Sequence, residues 1–115
     1  MPQDTTATRV TAVTDATFAA MVLAGERPVV VDFWAEWCPP CRAISRHLTE
    51  LAEEFGDALR FVTLNSDENP ETTRAYQVMS LPTLLVFRDG RVVGSIVGSR
   101  PKNQLRLAFA RHLDG

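Results

Sequence analysis

Cys38 and Cys41 are the only two cysteines of this 115-residue chain, and both fall in Trp37-Cys38-Pro39-Pro40-Cys41. Thiols at that spacing can close a small ring and open it again, so one segment can pass between dithiol and disulfide. The thiolate is the reactive form. The apolar run Val29-Val30-Val31-Asp32-Phe33-Trp34 precedes the pair, and a helical pattern follows it. A helix N-terminus gathers unpaired N–H groups and positive partial charge, which favours thiolate over thiol. With Cys38 at the N-cap, Pro39 and Pro40 take positions whose N–H groups have no helical partner, so the proline pair is tolerated. The Cys41 N–H is then expected to point at the Cys38 sulfur.

The other chemistry open to paired cysteines is zinc binding, which needs about four ligands. His47 and His112 are the only histidines and stand far apart in the chain, with no ligand at suitable spacing beside either. No metal is expected. Redox chemistry is the reading attached to a Cys-x-x-Cys next to a βαβ pattern. Asp32 is the second residue of interest. A carboxylate within an apolar run is costly to bury, so packing explains it poorly, and burial should raise its pKa. Trp34, inside the run, reads as packing. Trp37, beside a thiol, reads as substrate-facing. His47, Glu50, Glu53 and Glu54 read as the solvated face of a helix.

Composition bounds the rest. The length suits one domain, residues 1–115, with a substantial core. Net charge is −2 with mixed signs, and hydrophobic residues make up 45 %. No basic stripe argues for nucleic acid and no polybasic run for an anionic membrane. No apolar run approaches the roughly 20 residues of a spanning helix. Met1 to Thr8 is polar, without the apolar stretch of a secretion signal, so a loose tail and a cytoplasmic location are expected.

The elements that must position these residues follow from periodicity. Val10 to Val13 suits a short strand, and Thr14 or Asp15 can cap a helix running to about Ala24. The near-continuous apolar character of Val29 to Trp34 implies a strand buried on both faces, as in a parallel sheet. From Pro39 to Phe55, the residues Cys41, Ile44, Leu48, Leu51, Ala52 and Phe55 recur at helical spacing, with Gly56 as the stop. Leu59 to Asn65 is another buried strand, and Pro70 opens a short helix to about Gln77. Leu84 to Phe87 and Val92 to Val97 are strands joined at Asp89-Gly90, a hairpin signal. A last helix starts at Pro101, with Leu105, Ala108, Phe109, His112 and Leu113 facing inward. The order βαβαβαββα implies an α/β fold with a mixed sheet and helices on both faces.

These residues also carry a resemblance. Asp32-Phe33-Trp34-Ala35-Glu36-Trp37-Cys38-Pro39-Pro40-Cys41 closely resembles the active-site segment of thioredoxins. Leu81-Pro82-Thr83 looks like their cis-proline loop, Phe87-Arg88-Asp89-Gly90 like their hairpin, and Val97-Gly98 like the loop after the last strand. The resemblance spans about Val10 to Leu113. It implies a thioredoxin fold and a thiol–disulfide oxidoreductase that reduces protein disulfides. By the same resemblance, Cys38 matches an exposed nucleophile, Cys41 the resolving cysteine, and Asp32 a buried carboxylate that moves a proton to or from the resolver. Pro82 matches the cis-proline. Trp37, Leu81 and Gly98 match the substrate-docking rim. The implied partners are disulfide-containing proteins and a flavin-dependent thioredoxin reductase; no cofactor of the chain's own is implied, and a monomer is expected.

The chain departs from the family's commonest pattern at several positions. Pro-Pro stands between the cysteines in place of Gly-Pro. Arg46 replaces a helix-kinking proline, and Thr63 a lysine near the buried aspartate. Ser66 and Ser80 replace apolar or glycine residues on the docking face. Because Cys-x-x-Cys alone does not set the direction of electron flow, a thiol oxidase or isomerase is the rival enzyme. The rival of another class is a thioredoxin-fold scaffold without redox turnover.

Overall fold

The computed structural model describes residues 9–113; the expected N-terminal tail lies outside them. Five strands form one sheet in the order β1-β3-β2-β4-β5. They are β1 (Val10–Ala12), β2 (Val29–Trp34), β3 (Arg60–Asn65), β4 (Thr83–Arg88) and β5 (Arg91–Val97). β1 and β2 both run parallel to β3, and β4 runs antiparallel to β2 and to β5. β2 therefore lies in the middle, and Val29 to Phe33 are all buried, as its unbroken apolar run requires.

Alternate residues along the strands feed two cores. On one face Val30, Phe61, Leu84 and Val86 pack with Ile44, Leu48 and Leu51 of α1 (Pro39–Phe55) and with Leu105 and Phe109 of α3 (Lys102–Ala110). On the other, Val31, Phe33, Val62 and Phe87 pack with Val13, Phe18 and Val22, and Tyr76 closes the edge of this cluster just beyond α2 (Pro70–Ala75). Helices thus cover both faces of a mixed sheet. The buried set of α1 is Cys41, Ile44, Leu48, Leu51 and Ala52. The helix ends at Gly56, whose φ of +57° suits a residue without a side chain, and whose N–H donates to the Ala52 carbonyl.

Three local expectations need correction. The helix expected from Thr14 or Asp15 to Ala24 is only a wide turn, Ala19–Leu23, closed by the Ala24 N–H on the Ala19 carbonyl at 3.1 Å. Thr14 and Thr17 tie its entry: each backbone N–H donates to the other's hydroxyl, at 2.8 and 3.3 Å. Asp15 does not cap this turn. Its carboxylate instead accepts the Glu71 and Thr72 N–H groups at 3.2 and 2.8 Å, capping α2, and its own N–H donates to Asn69 Oδ1 at 2.8 Å. The Thr72 hydrogen bond, opposed in part by burial, holds the Asp15 carboxyl below its ordinary range. α2 stops at Ala75, short of Gln77, whose φ of +56° is incompatible with continuing the helix. α3 stops at Ala110, so His112 and Leu113 sit half-buried in the turn beyond it.

The β4–β5 hairpin turns on Asp89 and Gly90, both at positive φ (54° and 77°), the pattern of a two-residue turn that matches strand twist. A register shift between Val86 and Phe87 bulges β5. A side chain at Gly94 would meet the His112 ring at 2.7 Å, so the ring would have to shift to admit one.

Candidate active site

The sheet brings the site together at one edge. β2 and β3 run out of the sheet side by side, Trp34 opposite Asn65. The antiparallel register pairs Phe33 with Thr83, and Thr83 with Val97. Cys38 after β2, Ser66 after β3, Pro82 before β4 and Gly98 after β5 are therefore carried to the same end. The crevice beyond the carboxyl ends of parallel strands is where α/β sheets place their chemistry.

Cys38 is the N-cap residue of α1 and Pro39 and Pro40 open the helix, as the spacing requires. Cys38 and Cys41 are joined as a disulfide, with Cα atoms 5.4 Å apart. Two expectations for this turn differ from what is found. The Cys41 N–H donates to the Cys38 carbonyl at 3.1 Å, and the Cys38 sulfur caps no N–H of the helix. Cys38 is only 3 % exposed, no more than Cys41, whereas an exposed residue was expected. The helix then runs through Arg46 without interruption.

Asp32 is 1 % exposed, and its Oδ1 has no hydrogen-bond partner. Its neighbour in the parallel register is Thr63, which brings no charge. Burial alone pushes the carboxyl up to about 7. Asp32 and Cys41 line one cleft of about 510 Å³, together with Thr63, Ser45, Arg42 and Arg46. A group able to gain or lose a proton near neutral pH thus shares a cavity with one of the two sulfurs.

Trp37 is 66 % exposed, yet it is held: its Nε1–H donates to Asp67 Oδ2 at 2.8 Å. Asp67 is fixed in turn, since its N–H and that of Glu68 both donate to Asn65 Oδ1, at 3.0 and 3.3 Å. Nothing in the local pattern singles out Asp67 or Asn65; the Asn-Ser-Asp turn chemistry is their only sequence signal. The Leu81–Pro82 peptide is cis. Pro82 is buried and Leu81 half-buried. Gly98, at φ +90°, donates its N–H to the Pro82 carbonyl at 2.8 Å, so the loops before β4 and after β5 are bonded to each other. Ser80 is exposed, and its carbonyl accepts the Thr83 hydroxyl at 2.6 Å. Ser66 is buried with an unpartnered hydroxyl. All seven residues singled out from the sequence (Asp32, Trp37, Cys38, Cys41, Leu81, Pro82 and Gly98) lie at this end of the sheet.

Among the described residues no group of three or more His, Cys, Asp or Glu side chains is placed to hold a metal ion, and no helix is long and apolar enough to cross a membrane.

Residues 9–111 match the family model described as Thioredoxin. The chain is 45 % identical over 102 residues to "Thioredoxin 1" of Synechococcus elongatus, covering 89 % of this chain and 95 % of that protein. It is 55 % identical over 93 residues to a thioredoxin of Streptomyces clavuligerus, covering 81 % and 86 %. A thioredoxin of Listeria monocytogenes is 50 % identical over 93 residues, covering 81 % and 88 %.

Proposed function

The chain belongs to the thioredoxin family and is a thiol–disulfide oxidoreductase, and we propose that it acts as a small reductase of protein disulfides through a Cys-Pro-Pro-Cys centre. The single observation that carries this reading is a Cys-x-x-Cys disulfide at the start of α1 that shares a cleft with an unpaired, buried carboxyl. A scaffold has no need of that carboxyl, whose burial is costly.

The dithiol form begins the cycle. The Cys38 thiolate attacks one sulfur of a substrate disulfide; a Cys38–substrate S–S bond forms, and the other substrate sulfur leaves as thiolate and takes up a proton. Cys41 then loses its proton to Asp32, which as a carboxylate accepts it, and its thiolate attacks Cys38 Sγ. The mixed disulfide breaks, the Cys38–Cys41 bond forms, and the second substrate sulfur leaves reduced. Two electrons have moved from the chain to the substrate. A flavin-dependent thioredoxin reductase returns them by thiol–disulfide exchange, its own dithiol being oxidised as the Cys38–Cys41 bond opens. Trp37, Leu81 and Gly98 form the rim on which the substrate strand lies, supported by the exposure of Trp37 and by the Gly98–Pro82 bond that ties the two loops. Net reduction of disulfides is chemistry of a reducing compartment such as the cytoplasm, and one chain supplies every group the cycle uses.

The test is catalysis of insulin reduction by dithiothreitol. The wild type is expected to turn over, Cys38→Ser to lose turnover entirely, and Cys41→Ser to accumulate a covalent Cys38–substrate adduct visible by mass spectrometry. Tight binding of substrate without turnover would replace this reading with a scaffold, and dithiol oxidation much faster than disulfide reduction would replace it with an oxidase.

A further inference from the structure

The first two turns of α1 carry charges that helix physics disfavours. Arg42 and Arg46 are four residues apart, where like charges share a face and repel. Arg42 also closes the first turn, near the positive end of the helix dipole, and that turn holds no acidic residue to offset it. Both side chains are exposed, and neither has an ion-pair or hydrogen-bond partner among the described residues. Two cations of α3 are placed differently: Lys102 and Arg106 are paired to Glu50 and Glu54 in the second half of α1. What sets Arg42 and Arg46 apart is their place: both line the cleft that also holds Asp32 and Cys41. Glu36 is the one carboxylate beside them at its mouth, so cations outnumber anions there; Asp32 holds its proton up to about pH 7.

We propose that Arg42 and Arg46 form a charge-selective docking site beside the disulfide, which favours substrate segments carrying an acidic side chain near the cystine. Charge complementarity names the occupant. Two unpaired guanidinium groups offer forked donors that match a carboxylate, and a carboxylate seated there relieves both the mutual repulsion and the unfavourable dipole. The cleft, about 510 Å³ and open to solvent, has room for such a side chain. The site acts on recognition: the carboxylate holds the substrate cystine over Cys38 and takes no part in the exchange of sulfurs. It rests on the reductase reading above.

Three peptides with the same cystine ring, flanked by Glu, Gln or Lys, test it with the full chain. Steady-state reduction is measured for the wild type, Arg42→Gln, Arg46→Gln, the double variant and Arg46→Lys. The wild type is expected to prefer Glu to Gln by about two- to five-fold per charge pair, mostly in KM, with Lys slowest. The preference should shrink in each single variant, vanish in the double variant and at about 1 M salt, and survive in part in Arg46→Lys. Circular dichroism of each variant checks that α1 is intact. Equal rates for all three peptides in the wild type would overturn this inference alone, as would a Glu preference that persists in the folded double variant. Failure of the wild type to reduce any of the peptides would overturn the reductase reading, and this inference with it.

Discussion

The two ends of α1 are built on opposite principles. The first carries a disulfide behind two prolines and two unpaired arginines, over an aspartate whose Oδ1 has no partner. The last carries Leu48, Leu51 and Ala52 buried against Leu105 and Phe109, with Glu50 and Glu54 paired to Lys102 and Arg106. One continuous rod joins them. Free energy that the fold gains at the packed end supports groups left unsatisfied at the other end. Local inconsistency in a natural sequence points to its functional end. Substitutions at the two ends should therefore separate stability from rate.

The packed end should give the largest change in stability. Phe109 is fully buried and meets Phe61 edge-on with ring centroids 5.6 Å apart. Phe109→Ala removes that packing and leaves a cavity, at a cost of about 3–5 kcal/mol. Urea unfolding measures it, and insulin reduction by the folded fraction should be unchanged. A fall in the turnover of folded protein as large as the fall in stability would break the comparison.

Asp32→Asn should have the next largest effect and the opposite sign. An aspartate is ordinarily ionised above about pH 4, whereas buried Asp32 holds its proton to about 7. Between these values the folded chain binds more protons than the unfolded one, so stability falls as pH rises. The penalty is absent below the unfolded value and complete above the folded one. At about 1.4 kcal/mol per pH unit its limit is on the order of 4 kcal/mol. The disulfide form of Asp32→Asn should match the wild type at pH 3 and exceed it in stability at pH 8, while resolution of the mixed disulfide slows. An Asn–Asp difference equal at both pH values would show that ionisation is not its cause.

The smallest effect belongs to the exposed ion pairs. Lys102 Nζ lies 2.8 Å from Glu50 Oε1, and its hydrogen bond is the chief reason that the Glu50 carboxyl sits below its ordinary range. Both groups are solvated, and such pairs contribute little. Lys102→Ala should raise the Glu50 pKa, seen by NMR titration, with the unfolding midpoint and the rate of insulin reduction scarcely moved. A clear loss of turnover would mean that this end of α1 takes part in the reaction.

What the sequence disclosed was local, or came with a motif. The unbroken apolar run of β2, the helical spacing from Cys41 to Phe55 and the Asp89-Gly90 hairpin depend on neighbours in the chain, and each forms nearly where periodicity places it. Within the site, Cys38, Cys41 and the raised pKa of Asp32 were legible for the same reason. Trp37 on Asp67, Gly98 on Pro82 and His112 over Gly94 were not, because each joins residues that only the sheet topology brings together. Thr14 and Asp15 both looked like caps for the segment that follows them; Thr14 instead ties the turn before it through Thr17, and Asp15 finds donors across the structure. The burial of Cys38 was missed because its expected exposure came with the resemblance, whereas burial depends on residues that the fold packs around it.

The Asp15 carboxylate has a bearing on how the protein is made. α2 is six residues long, too short to persist alone in water, and its first N–H groups are met by a residue more than fifty positions earlier in the chain. Synthesis runs from the N-terminus, so the acceptor has left the ribosome before its donors are polymerised. α2 can be captured as it emerges. A circular permutant that opened the chain between Ala24 and Pro28 would reverse that order and leave α2 waiting for its cap until the last residues were added.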